Sequence, residues 1–127
     1  MLPALSIAIG ASLGALLRWR LGLWLSPQGW MPWGTLAANW IGALLIGFLV
    51  AFFQQASHLD PIWRLAVITG FLGALTTFST FSVEVIEALQ GQRWLAALTM
   101  TGLHVLGSLA LTVLGLKLHD WLQIKAA

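Results

Sequence analysis

Gly70-Phe71-Leu72-Gly73-Ala74-Leu75-Thr76-Thr77-Phe78-Ser79-Thr80-Phe81-Ser82 lies in the middle of an apolar stretch that starts at Pro61 and runs to about Leu89. Two glycines and five hydroxyl residues crowd into these thirteen positions. Glycine loses more backbone entropy in a helix than any other residue, and Ser and Thr side chains compete for backbone hydrogen bonds. The whole stretch is about 29 residues, roughly 43 Å as a helix at 1.5 Å per residue, against a hydrocarbon core of about 30 Å. The run therefore predicts a long membrane helix broken near residues 73–77. A break strands carbonyls at the end of the first half and N–H groups at the start of the second. In lipid those groups must be buried in protein or met by ions or water. Carbonyl oxygens suit a cation, and a helix N-terminus suits an anion. The competing reading is a continuous helix whose hydroxyls bond back to the preceding turn.

The rest of the chain agrees with a membrane setting. Of 127 residues, 59% are apolar and only 8% are charged. A soluble domain is about 25% charged, so a soluble globular domain and a disordered chain are excluded. The net charge of +2 comes with no basic run, which excludes a nucleic-acid binder. There is no cysteine, hence no disulfide frame and no thiolate metal site. Three further stretches are long enough to span, giving four: about 2–25, 33–53, 61–89 and 94–118. Asp60 before Pro61 reads as an N-cap followed by proline at the first helical position. Trp24, Trp30, Trp33, Trp63, Trp94 and Trp121 fall near the span ends, as an aromatic belt requires. The N-terminal stretch has no positive leader and too long an apolar run for a signal peptide. The expectation is an all-α membrane protein, a single four-helix domain over residues 1–127.

Four spans put both termini on one side, with Arg64, Lys117 and Lys125; Arg18, Arg20 and Arg93 lie on the other. Positive charge normally sets orientation, and a three-to-three tie gives no preference. The tie predicts insertion both ways and pairing as an antiparallel, dual-topology homodimer. Such a dimer would supply the inverted symmetry that larger transporters carry within one chain. Gly10-xxx-Gly14, Ala38-xxx-Gly42 and Ala43-xxx-Gly47 are close-packing patterns, serving either within a subunit or between subunits.

Several polar residues fall at membrane depth. Asn39 is far from any charged loop, so its amide must face protein or a cavity. His104, Ser108 and Thr112 recur at i, i+4 and i+8 and form one polar stripe, the wall of a wet path. Phe78 and Phe81 share a helix face beside Ser79 and Thr80. A phenyl ring has a positive edge, and rings set edge-on to a narrow path would steady a small anion without full charge. Glu84 and Glu87 lie near the same membrane face as Arg18 and Arg20, which reads as ion pairing, a basic mouth that draws in anions, or both. Gly10-Ala11-Ser12-Leu13-Gly14 fits the hydrolase pattern GxSxG, but that motif needs a strand-to-helix turn and here lies in an apolar helix. A Ser12–His104 dyad would also lack an oxyanion hole, so no enzyme is expected.

The run from Gly70 to Glu84, with Gly34-Thr35-Leu36-Ala37-Ala38-Asn39 and Gly10…Gly14…Arg18, resembles the signature of the Fluc fluoride channels, also called CrcB-type proteins. The resemblance covers the whole chain. It implies an antiparallel homodimer with two fluoride pores in a bacterial cytoplasmic (inner) membrane, exporting fluoride and so giving fluoride resistance. It implies pore residues Asn39, Phe78, Ser79, Thr80, Phe81, His104, Ser108 and Thr112, and Arg18 in the vestibule. It implies a structural Na+ at the dimer centre, held by the backbone carbonyls of Gly73 and Thr76 from each subunit. Three positions depart from the family pattern: Ala11 and Ala74 stand where glycine is usual, and Trp40 where a smaller apolar residue is expected. The expectation is a passive, selective fluoride channel whose partners are fluoride, the lipid bilayer and a second copy of the chain. The rivals are a small dual-topology transporter, either Na+-coupled or of multidrug type, and a structural subunit. The multidrug type relies on an acid in its first helix, and this first span has none.

Overall fold

The computed structural model describes residues 1–26, 29–56 and 58–126. Four helical spans long and apolar enough to cross a membrane follow one another: Leu2–Leu25, Trp33–Gln55, Pro61–Gln90 and Trp94–Lys125. The expected stop of the first span at Ser26-Pro27 is half visible, since Pro27 lies outside the described residues. The third span opens as its sequence requires: Asp60 Oδ1 accepts the N–H of Ile62 at 2.9 Å, with Pro61 at the first helical position. It turns into the fourth through Gly91-Gln92, where Gln92 takes a left-handed φ of 56°. The Arg93 N–H closes that turn on the Ala88 carbonyl at 2.8 Å. The fourth helix runs on past Leu118 to Ala126 because no breaker follows, and the Lys125 ammonium sits 3.9 Å over the Trp121 ring.

Two helix pairs are drawn close by small residues. The first span lies on the upstream part of the third, where a side chain on Gly10 or Gly14 would overlap the carbonyls of Ala66 and Phe71. The second lies on the fourth, with Gly47 against the Thr112 carbonyl and Gly115 against that of Leu44. The close-packing patterns of the sequence thus serve contacts inside one chain. Leu21, Ala38, Leu72 and Leu75 form one buried cluster, and Met31, Leu36, Ala88, Ala97 and Met100 a second. Outside these clusters the helices expose large apolar side chains along their length, among them Leu5, Ile9, Leu13 and Leu16 of the first span. Water would not tolerate that surface, and lipid does. Trp24, Trp30, Trp33, Trp63, Trp94 and Trp121 are all exposed.

Within the third span the backbone opens into wide, π-type turns over Leu65–Leu72 and returns to α geometry at Gly73–Leu75. Thr76 and Thr77 are extended, at φ −79°, ψ 150° and φ −149°, ψ 118°, and helix resumes at Phe78. The non-helical residues are the two threonines, and Gly73 stays helical. A second wide-turned stretch, Leu103–Gly107, lies in the fourth span.

Candidate functional site

The two extended threonines face the second and fourth spans across a groove of about 530 Å³ that is open on one side. Thr77 begins the downstream helix as its N-cap, and its Oγ1 accepts the Thr80 N–H at 3.1 Å. The same hydroxyl lies 3.0 Å from Thr80 Oγ1 and 3.2 Å from Ser79 Oγ. One hydroxyl thus organises the start of the helix that carries both phenylalanines.

Asn39 locks onto the backbone of this residue. Its Oδ1 accepts the Thr77 N–H at 2.7 Å, and its Nδ2 donates to the Thr77 carbonyl at 3.0 Å. Nδ2 also lies 3.0 Å from His104 Nδ1. An amide nitrogen has hydrogens to give and no lone pair to offer, so His104 Nδ1 is the acceptor and its proton sits on Nε2. Both Asn39 hydrogens and its oxygen are then engaged within the protein. His104 Nε2–H is left over: it is buried, has no hydrogen-bond partner, and belongs to a residue only 5% exposed that lines the groove. A buried donor without a partner costs free energy until something accepts its hydrogen.

The rings lie around that donor. His104 stacks on Phe81 at 4.6 Å between centroids and 26° between planes. Phe78 meets Phe81 edge to face at 5.3 Å and 67°, and is 76% exposed. Phe78, Phe81, Ser108 and Thr112 line the groove with Asn39 and His104. Thr112 Oγ1 donates back to the Ser108 carbonyl at 2.9 Å, so its hydrogen serves its own helix. Ser79 and Thr80 are gathered around Thr77 beside the groove, and Ser79 is exposed.

Gly73 and Thr76 also border the groove. With Thr77 N–H diverted to Asn39, no hydrogen bond among the described residues reaches the carbonyl of Gly73, nor that of Thr76. Unclaimed carbonyl oxygens beside an exposed glycine are donors that a hard cation takes, so these residues fit a sodium ion. The neighbouring Ala74 carbonyl is occupied by Arg18 Nε at 3.1 Å. Arg18 is half-buried against the end of the upstream helix, and among the described residues it forms no ion pair with Glu84 or Glu87. Glu84 instead accepts the Thr35 hydroxyl at 2.5 Å, leaving its Oε2 buried and unpartnered.

Thr77, Thr35 and Trp40 were not among the residues singled out for the site. Thr35 and Asn39 stand at i and i+4 on the second span, a polar pair on one face that the spacing alone discloses. Thr77 has the signature of a hydroxyl N-cap before a helical run. Ser12 lies on the exposed side of the first span and bonds back to the Ala8 carbonyl at 2.9 Å.

A profile of the family described as "CrcB-like protein, Camphor Resistance (CrcB)" matches residues 5–116. A protein of Albidiferax ferrireducens is 59% identical over 122 residues, covering 96% of this chain and 94% of its own. One of Variovorax paradoxus is 54% identical over 117 residues, covering 92% and 94%. One of Chromohalobacter salexigens is 57% identical over 118 residues, covering 91% and 88%. All three carry the name "Fluoride-specific ion channel FluC".

Proposed function

The chain belongs to the CrcB-like family of fluoride channels and is not an enzyme, and from that premise we propose that it is a passive channel carrying fluoride out of the bacterial cytoplasm, so conferring fluoride resistance. The observation that carries the reading is the unclaimed His104 Nε2–H of a ring stacked on Phe81, with Phe78 set edge to face against Phe81, in a groove lined by no fixed cation. Fluoride is small and strongly hydrated, and a path for it must replace water's hydrogen bonds without holding the ion too tightly. A neutral N–H, ring edges and the hydroxyls of Ser79, Thr80 and Ser108 offer that. Asn39 acts here by orienting Thr77 and His104. Arg18 supplies positive charge toward the mouth.

The functional unit in this reading is an antiparallel homodimer in the inner membrane, with two pores. The balanced charge of the two membrane faces supports it, as does Phe78, which is far more exposed than a pore ring should be until a second copy covers it. The carbonyls of Gly73 and Thr76 from both subunits would hold a central Na+, whose charge would tie the two broken helices together. The break then lies at mid-membrane.

The test is efflux from liposomes containing the purified protein, fluoride against chloride. Rapid fluoride loss with negligible chloride loss is expected; loss of neither ion would refute the channel. The unclaimed carbonyls also suit a Na+-coupled carrier. Imposing a sodium gradient separates the two, since it drives fluoride through a carrier and leaves a channel's flux unchanged.

A further inference from the structure

Two neighbouring residues of the second span grip the fourth span at two neighbouring residues. Asn39 reaches the His104 ring. Trp40 donates its indole Nε1–H to the backbone carbonyl of Leu103 at 2.9 Å. The indole lies where a side chain of Gly107 would stand: a Cβ there would come within 2.6 Å of Nε1 and 2.9 Å of Cε2. Between these two contacts the fourth span opens into its wide turns, Leu103–Gly107. Such turns are rare and persist where the surroundings stabilise them, frequently at functional sites. The indole in turn packs against the buried cluster of Met31, Leu36, Ala88, Ala97 and Met100, where its N–H needs an acceptor. The Leu103 carbonyl meets that need.

We propose that Trp40 is a positioning residue for the anion path: its bond to Leu103, with the notch at Gly107, holds the wide turn open and so sets the rotation and height of His104 against Asn39. The effect on flux rests on the channel reading; the effect on geometry does not. A wide turn holds one residue more than an α turn, and closing it would rotate the residues beyond by about 100°. His104 lies inside the turn, so its Nδ1 would not remain 3.0 Å from Asn39 Nδ2. The bond to Asn39 is joined by a second bond of the same order at Leu103 and by the indole packed into the Gly107 notch, so that the turn is held at two points. Trp40 is one of three positions, with Ala11 and Ala74, that depart from the pattern of the family this chain resembles, and Gly107 is the space that admits its indole.

The experiment uses the full chain in bilayers with 15N-labelled histidine, the His104 signals being assigned against His104→Gln. Trp40→Phe keeps a ring and removes the N–H; Gly107→Ala displaces the indole. The native protein should show a single His104 tautomer protonated at Nε2. Each variant should show a second His104 species and lose fluoride efflux by roughly tenfold, the worth of one positioning hydrogen bond. The double variant should be no worse than either single one, because both act on one contact. A tryptophan that only stabilised the bundle would lower the melting temperature and leave the His104 spectrum unchanged. That result, or additive flux losses, would overturn the proposal. Where Trp40→Phe does not fold, Gly107→Ala tests the same contact from the other side. Native liposomes that release no fluoride would sink the channel reading, while the His104 spectra would still decide the role of Trp40.

Discussion

Asn39→Asp changes one NH2 to an oxygen and nothing in shape. Oδ1 still accepts the Thr77 N–H, at 2.7 Å in the native protein. The second oxygen now faces two acceptors, the Thr77 carbonyl and His104 Nδ1, each 3.0 Å from the atom it replaces. The strain against Thr77 has one relief at His104: the imidazole proton moves from Nε2 to Nδ1 and donates to the new carboxylate. Nε2 then offers a lone pair where it had offered a donor. A donor to an anion is worth about 1.5–3 kcal/mol. Fluoride efflux should therefore fall by about tenfold to a hundredfold. The added negative charge beside the path acts in the same direction. The assay is fluoride release from liposomes, paired with 15N spectra of His104. Native efflux together with a proton at Nδ1 would refute the role given to Nε2–H. Native efflux with the proton still at Nε2 would refute the account of Asn39.

Phe78→Ile and Phe81→Ile should each cripple fluoride flux while eluting as the native protein does on size-exclusion chromatography; unchanged flux in both would count against edge-on rings. Phe81→Ile should also disturb the His104 spectrum, because only that ring stacks on it. Gly14→Ala places a methyl against the Phe71 carbonyl, a backbone obstacle that cannot rotate away. It should destabilise the protein by about 1–3 kcal/mol, read as a lowered melting temperature in detergent. Reporter tags on the C-terminus should give signal from both sides of the membrane, and a signal from one side alone would rule out dual topology.

The four spans are legible in the chain because their signal is local: apolar runs of sufficient length, the third opened by Asp60-Pro61, and their ends marked by tryptophans. The weak point of the third span is legible for the same reason, since glycine and hydroxyl residues announce themselves by composition. Its position is less so. The expected break covers residues 73–77, and within it the extended residues are Thr76 and Thr77, because Asn39 takes the Thr77 N–H and Thr77 takes up the cap of the next helix. The partner that decides the position lies 38 residues away.

Composition and spacing by themselves determined a membrane-spanning helical chain, its balanced charge, the polar stripe of the fourth span and the paired phenylalanines. Each of these depends on residues within a turn or two of one another. Only the tertiary structure decided which donors remain free. Asn39 and His104 look alike in the sequence, two polar groups at depth. Packing brings them together, occupies the amide on every side, and leaves the imidazole Nε2–H buried without a partner on a residue that lines the groove. A hydrogen bond depends on distances of tenths of an ångström between helices, and the rotation of one helix against another is set by the side chains between them, as at Trp40 and Gly107.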